Sequence, residues 1–226
     1  MKKHTLLSDI AVFLLIFFLF IVPPFIASVP SIDRPLFNSW GFPWYQILLA
    51  AFGGVLLYFY YQKNQADSDG VVTAVTVWQK LIIFPVVFTF GMLFAISLFC
   101  RFLSEATGFY DGELLVVKPS GIVQWLFCLI NFLCAAFYEE VLYRFYFSDE
   151  LFILVTRKKQ WRGSRVLCEV LGLICFAFAH LYMGWISVLN AALAHLILRL
   201  CYKKTCRLWP CVAAHFVYNV ISLILL

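Results

Sequence analysis

Long apolar stretches separated by short polar segments run along the whole chain. A helix rises about 1.5 Å per residue, so about 20 apolar residues cross the roughly 30 Å hydrocarbon core of a bilayer. Seven stretches reach or approach that length: 6–28, 43–61, 81–100, 120–147, 166–183, 185–201 and 208–226. The pattern predicts an all-α fold, a polytopic bundle of about seven transmembrane helices.

Composition supports a membrane protein. Hydrophobic residues make up 64% of the 226 residues and charged residues 13%, whereas a soluble domain is about 45–50% apolar and about 25% charged. Such a chain cannot cover a water-facing surface, which excludes a soluble nucleotide-binding fold, a nucleic-acid module and a disordered tail. Because neither an internal repeat nor a low-complexity linker divides the sequence, we expect a single integral membrane domain over 1–226.

The first apolar stretch has two interpretations. Its Met-Lys-Lys start and its Pro23–Pro24 end are also typical of a signal peptide. However, Asp9 lies early in the run and no clear small-x-small cleavage site follows. These features favour a retained first helix.

The distribution of lysine and arginine predicts the orientation, because cytoplasmic loops are enriched in both. With a cytoplasmic N-terminus, seven spans place thirteen basic residues inside: Lys2, Lys3, Lys63, Lys80, Arg157, Lys158, Lys159, Arg162, Arg165, Arg199, Lys203, Lys204 and Arg207. The opposite side holds three, Arg34, Arg101 and Lys118. The basic 157–165 segment is then expected beside anionic lipid, so the lipid bilayer is the partner of this charge and no nucleic acid is required.

The eight cysteines lie mostly in apolar stretches, and no two form a CxxC pair. We therefore expect small packing residues rather than disulfides or metal ligands.

Ionisable residues in the spans stand out, because each costs about 2.5–3.5 kcal/mol at the centre of a membrane helix and therefore indicates a function. The set, with one strongly polar amide, is Asp9, Glu139, Glu140, Arg144, Glu169, His180, His195, Arg199, His215 and Asn219.

Two adjacent glutamates precede an arginine in this set. Glu140 and Arg144 are four residues apart and share a helix face, so they can pair. Glu139 lies about 140° away from Arg144 around an α-helix and points elsewhere. A free carboxylate in an apolar cavity suits a general base. The alternative is a structural Glu–Arg pair with the second glutamate facing water.

Two further pairs have the same four-residue spacing, Phe176 with His180 and His215 with Asn219. Taken alone, His180 could be a satisfied core residue, and His215 and Asn219 could form an interhelical hydrogen bond. Together with Glu139, however, these groups lie about 12–21 Å from the predicted cytoplasmic edge, on three different helices. We therefore expect one polar cavity.

The other intramembrane polar residues are given structural interpretations. His195 is expected to form a structural hydrogen bond, Arg199 to snorkel to the cytoplasmic interface, and Glu169 to face solvent or the basic segment. Asp9 is expected near the N-terminal edge of its helix. The aromatic residues, 19% of the chain, are expected mostly to face lipid or the interface.

The sequence contains three motifs in this order: Glu139-Glu140-x-x-x-Arg144, Phe176-x-x-x-His180 and His215-x-x-x-Asn219. They resemble the motifs of the CAAX protease and bacteriocin-processing superfamily. Its members, also called Abi or CPBP intramembrane glutamate proteases, include the type II CAAX prenyl endopeptidases. The segment Tyr202–His215 also resembles the run into the last motif. The resemblance covers 120–226, which predicts a catalytic core there and accessory helices over 1–119.

The resemblance implies hydrolysis of a peptide bond within the membrane. Glu139 and His180 would then activate water, and His215 and Asn219 would stabilise the oxyanion. Glu140, Arg144 and Phe176 would have supporting roles. No cofactor is expected. The alternative is zinc bound by Glu139, His180 and His215, although a His-Glu-x-x-His helix is absent from the sequence.

The predicted function is an intramembrane endopeptidase acting on a membrane-associated peptide or protein. The lysine-led N-terminus and the small size favour a bacterial cytoplasmic membrane, and hence bacteriocin processing or immunity, by analogy alone. One alternative is a non-catalytic membrane adaptor, which would tolerate loss of a motif residue. Another is a small secondary transporter, which would be expected to contain an internal repeat.

Overall fold

The structure, a computed structural model, describes residues 6–27, 37–67, 83–108, 116–157, 159 and 161–225. Its main elements are α1 (Leu6–Ile16), α2 (Trp44–Asp67), α3 (Ile83–Thr107), α4 (Ile122–Thr156), α5 (Ser164–Phe178), α6 (Trp185–Thr205) and α7 (Trp209–Leu225). The predicted all-α class is confirmed for the described residues. One small addition is a two-residue parallel strand pair, β1 (Phe37–Asn38) with β2 (Val116–Val117).

Four helices of the described chain are long and apolar enough to cross a membrane: Leu6–Ile26, Ile83–Thr107, Ile122–Thr156 and Trp185–Thr205. The apolar part of α2 and all of α7 are shorter, and α5 has 15 residues. The seven-span topology and the cytoplasmic N-terminus therefore stay predictions. Five of the basic residues on which that orientation depends lie outside the described residues: Lys2, Lys3, Arg34, Lys80 and Lys158.

The first apolar stretch changes helical geometry after α1. After Ile16 the chain forms a π-helical turn over Phe17–Ile21 and then a 3₁₀ turn over Pro23–Ile26. A proline has no backbone N–H and cannot continue an α-helix from within, which explains the predicted break at Pro23. Upstream of the break, Phe13 and Ile16 are buried in the core, so α1 is an integral part of the described bundle.

Helix α4 differs from its prediction in two ways. It extends to Thr156, whereas a loop was expected to begin at residue 148. It is also not a continuous α-helix, because Glu140–Phe147 form a π-helical segment in which every residue is buried. We call Glu140–Phe147 the π segment. Segments of this kind are rare and are found frequently at functional sites.

The connection between α5 and α6 is short, six residues from 179 to 184. Helix α5 ends at Phe178, earlier than the expected boundary at residue 183, and a 3₁₀ turn covers Leu181–Met183. Gly184 then joins this turn to α6 with φ of 97°, a conformation in which glycine has no Cβ clash. His180 consequently lies in the turn after α5 rather than within a helix.

The larger core surrounds the π segment and is strongly aromatic. Its members come from α1 and the turn after it, α2, α4, α5 and α6, and include Phe13, Tyr60, Tyr138, Tyr143, Phe145, Tyr146, Phe147 and Phe176. These buried rings are exceptions to the prediction that the aromatic residues mostly face lipid or the interface. The physical reason is that large rings fill the wide space around a π-helical turn and pack edge-on or stacked.

A second, smaller core joins α3, α6 and α7. It is formed by Leu93, Ala194, Leu198, Cys201 and Cys211. The eight cysteines all lie in the described part of the chain and are free thiols, six of them buried. Their positions are those of packing residues.

Close packing of α5 against α4 depends on Gly172. A Cβ at this position would overlap Ser148 Oγ and lie 3.7 Å from Ser148 Cβ. Gly172→Ala is therefore expected to lower the free energy of unfolding by about 1–3 kcal/mol, measured by thermal unfolding in detergent micelles.

The matched control is Gly91→Ala in α3, where no described atom lies within 4 Å of the new Cβ and no loss of stability is expected. Removal of the hydroxyl in Ser148→Ala/Gly172→Ala should restore most of the loss. Equal stability of the two single variants would contradict this account of the α4–α5 contact.

Candidate active site

A buried ion pair lies at the start of the π segment. Arg144 Nε is 3.2 Å from Glu140 Oε2, and both side chains are 0% exposed. The predicted pairing of these two residues is confirmed. The guanidinium carbon of Arg144 also lies 4.0 Å from the centroid of the Phe176 ring on α5. The ring face supplies a second favourable contact for a charge that has no access to water.

Glu140 also contacts His215 on α7. His215 Nδ1 lies 2.9 Å from Glu140 Oε1, so one carboxylate binds an arginine through one oxygen and a histidine through the other. A carboxylate that is paired with arginine is ionised and can only accept hydrogen bonds, so Nδ1 of His215 carries the proton. Sequence analysis did not predict this contact, because it joins residues 75 positions apart.

Glu139 has different surroundings. Its side chain is 27% exposed, and its Oε2 lies 3.9 Å from His215 Nε2, which is too long for a direct hydrogen bond. Among the described residues Oε2 has no hydrogen-bond partner. Arg144 thus pairs with Glu140 and leaves Glu139 free, as the sequence predicted.

His180 is held by the backbone of its own segment. Its Nδ1 lies 2.8 Å from the carbonyl oxygen of Phe176, and its ring lies 4.8 Å from the Phe176 ring. Since a carbonyl can only accept, Nδ1 is the protonated nitrogen of His180. Its Nε2 is therefore unprotonated in the neutral ring and is able to accept a proton or a hydrogen bond.

One cavity of about 640 Å³ contains the predicted groups. Glu139, His180, His215 and Asn219 all line it, together with Phe176. Polar residues of α4 and α7 thus converge with His180 from the turn after α5. The segment that follows α1 and the start of α2 complete the wall with mainly apolar side chains: Leu19, Phe20, Pro23, Pro24, Ala27, Tyr45, Gln46 and Leu49.

Sequence analysis missed several polar residues of the cavity wall. Asn131 lies eight residues before Glu139 on α4, and Asn190 on α6 donates from Nδ2 to the Tyr218 hydroxyl at 2.9 Å. The signal available in the sequence is an amide within an apolar helix, the same signal that indicates Asn219.

The zinc alternative does not fit the described residues. No group of three His, Cys, Asp or Glu side chains within them is arranged to hold a metal ion. Glu139, His180 and His215 share the cavity but do not form a ligand set.

Two other predictions need correction. His195 is buried, with its ring 5.5 Å from that of Phe176, but within the described chain neither ring nitrogen has a hydrogen-bond partner. The predicted hydrogen bond is absent there because its neighbour is a ring with no acceptor group. Arg199 does not snorkel, since it is 4% exposed and is bound by carboxylates on α4 and α5.

Those carboxylates are Asp149 and Glu169. Glu169 also forms ion pairs with Arg165 at 3.2 Å and Lys203 at 2.8 Å, so its predicted position beside the basic segment is confirmed. Asp9 pairs with Arg157 at 2.6 Å, which connects the start of α1 to the residue after α4.

Comparison with known proteins gives one match. Residues 121–221 match the family model described as type II CAAX prenyl endopeptidase Rce1-like, a family of proteases. The match covers all three motifs and most of α4 to α7. Comparisons with curated proteins and with solved structures gave no significant match.

The Glu140–Arg144 pair is expected to be essential for stability. Arg144→Ala leaves a carboxylate buried without its cation, so it should lower the free energy of unfolding by about 3–5 kcal/mol. The measurement is chemical unfolding in detergent micelles, followed by circular dichroism.

The matched control is Arg101→Ala, which breaks a pair of the same four-residue spacing, Arg101–Glu105, whose side chains are 74% and 66% exposed. This change should cost less than about 1 kcal/mol. If the two substitutions destabilise the protein equally, the buried pair does not have the importance assigned to it.

Proposed function

Because residues 121–221 belong to the type II CAAX prenyl endopeptidase family, we propose that this multi-pass membrane protein is an intramembrane endopeptidase that hydrolyses a peptide bond of a membrane-associated peptide or protein. The observation that carries the proposal is the cavity in which the Glu139 carboxylate, His180, His215 and Asn219 are brought together.

Activation of water is assigned to Glu139 and His180. The Glu139 carboxylate accepts a proton from water, while the unprotonated Nε2 of His180 accepts a hydrogen bond from the other water hydrogen. The bond from Nδ1 of His180 to the Phe176 carbonyl supports this assignment, since it keeps Nε2 available. A general base must be within reach of the proton that it removes, directly or through one water.

Stabilisation of the oxyanion is assigned to His215 and Asn219. Attack of the water oxygen on the carbonyl carbon places negative charge on the carbonyl oxygen. Nε2–H of a doubly protonated His215 and the side-chain NH₂ of Asn219 then donate hydrogen bonds to it. The Glu140 carboxylate, 2.9 Å from Nδ1, offsets the positive charge of the imidazolium.

Collapse of the tetrahedral intermediate completes the reaction. Glu139 transfers its proton to the amide nitrogen, the C–N bond breaks, and an amine and a carboxylic acid leave the cavity. Hydrolysis by this route requires no covalent bond between enzyme and substrate and no metal. Water contributes one hydrogen to the nitrogen and its OH to the carbonyl carbon.

Glu140, Arg144 and Phe176 are assigned supporting roles. Glu140 orients His215, Arg144 neutralises Glu140, and the Phe176 ring covers the guanidinium while its carbonyl orients His180. A third group that orients a histidine is a recurrent arrangement in hydrolases.

The substrate is proposed to reach the cavity from the bilayer. Apolar residues of α2 and of the segment that follows α1 form one side of the wall, and such a wall suits a hydrophobic, membrane-anchored segment. Bacteriocin processing or immunity in a bacterial cytoplasmic membrane remains the predicted process. A non-catalytic adaptor is the alternative that the next experiment distinguishes.

Glu139→Gln is expected to lower kcat by about 100- to 10,000-fold, since the amide cannot accept the proton from water. The measurement uses the full chain in proteoliposomes with two quenched fluorescent peptides. One peptide ends in a farnesylated cysteine followed by two aliphatic residues and a last residue, and the other is an unprenylated hydrophobic peptide.

Glu105→Gln serves as the control, because Glu105 is an exposed carboxylate on α3 and its substitution should leave kcat unchanged. Cleavage by Glu139→Gln at the rate of the unmodified protein would exclude the proposed base. Absence of cleavage of both peptides by the unmodified protein would favour the adaptor.

Metal dependence is tested in the same assay. Hydrolysis by the Glu139 route predicts that EDTA or 1,10-phenanthroline leaves kcat unchanged, since no described group of side chains forms a three-ligand metal site. Inhibition by chelator that added Zn²⁺ reverses would instead support the zinc alternative.

A further inference from the structure

Arg199 on α6 is a buried arginine in which every guanidinium N–H group donates a hydrogen bond. Nε and Nη2 each donate to Glu169 at 2.9 Å, and Nη2 and Nη1 donate to Asp149 at 2.8 and 3.4 Å. Nη1 also donates to the backbone carbonyl of Arg144. A guanidinium has five N–H groups, so each one has an acceptor although the residue is only 4% exposed.

The bond to the Arg144 carbonyl differs from the others because its acceptor lies within the π segment. A buried backbone carbonyl must be paired, and a bond from a charged donor is about twice as strong as a neutral one. Arg199 thereby connects α6 directly to the backbone of the segment that presents Glu140 and follows Glu139. The same side chain contacts Glu169 on α5, the helix that precedes His180.

We propose that Arg199 is a positioning residue for peptide hydrolysis, an inference that rests on the function proposed above. By holding the Arg144 carbonyl, Arg199 fixes the backbone of the π segment relative to α5 and α6. That backbone determines whether Glu140 and Arg144 stay in the core while Glu139 lines the cavity. Displacement of a base by about 1 Å can slow a reaction by about 100-fold.

The shape of the guanidinium is required for this role. A lysine keeps the positive charge but has one nitrogen in place of three, so it cannot bridge two carboxylates and a carbonyl at once. If charge alone mattered, Arg199→Lys would be well tolerated. If the planar shape of the guanidinium matters, the variant retains ion pairs but no longer fixes the backbone of the π segment.

Arg165 provides the matched comparison. It also forms ion pairs with Asp149 at 2.6 Å and Glu169 at 3.2 Å, but its side chain is 44% exposed and its guanidinium lies over the Phe152 ring. In the described part of the chain its contacts do not include the Arg144 carbonyl. The two arginines thus share their carboxylate partners and differ in the contact that the proposal depends on.

The test compares Arg199→Lys and Arg165→Lys in the proteoliposome assay, with the peptide that the unmodified protein cleaves faster. We expect Arg199→Lys to lower kcat by about 10- to 100-fold with KM within about twofold, because base placement rather than substrate binding is disturbed. Arg165→Lys is expected to leave both constants unchanged. Hydrogen exchange of amides 140–149 should accelerate in Arg199→Lys alone.

A kcat for Arg199→Lys equal to that of Arg165→Lys, or equal losses in the two variants, overturns the proposal. If Arg199→Lys does not fold, Glu169→Gln replaces it. This change weakens the interaction of Glu169 with Arg199 but keeps the Arg199 side chain. A several-fold loss of kcat at constant KM is then expected, and an unchanged kcat is contrary to the proposal. Failure of the proposed function is distinguished from failure of this inference by Glu139→Gln, which would then retain full activity.

Discussion

The arrangement of this site depends on a positive charge that has no access to water. Arg144 is fully buried, so its guanidinium must be stabilised by protein groups or the bundle would be unstable. Glu140 provides the countercharge from the same helix, and the Phe176 ring on α5 covers the guanidinium at 4.0 Å. Because Glu140 also contacts His215 on α7, this requirement connects three helices at one level of the bundle.

The pairing also separates two adjacent glutamates into different environments. Glu140 is held in the core by an arginine and a histidine, whereas Glu139 keeps an oxygen without a hydrogen-bond partner in the described chain and lines the cavity. Neighbouring carboxylates with unlike surroundings can take unlike roles. The aromatic core around the π segment and the clamp of Arg199 on the Arg144 carbonyl hold this difference in place.

Local spacing was sufficient for some of these features. Four-residue spacing predicted the Glu140–Arg144 pair, and it placed His180 near Phe176 and Asn219 one turn from His215. It failed where distant residues decide the outcome. Three features depend on which helices are neighbours. They are the Glu140–His215 contact, the burial of Arg199 and, within the described residues, the lack of a hydrogen-bond partner for His195. The regular α-helical angle assumed for the sequence also did not predict the π segment.

The apolar pattern alone determined that the chain is a helical membrane protein, since a bilayer requires long apolar helices with satisfied backbones. The order of the motifs indicated the resemblance to the family whose model matches residues 121–221, and it indicated the candidate residues. Only the tertiary structure decided that these residues share one cavity, which glutamate is free and which histidine nitrogen is available. Those properties arise from contacts between helices, and the energy of a buried charge depends on everything packed around it rather than on its neighbours in sequence.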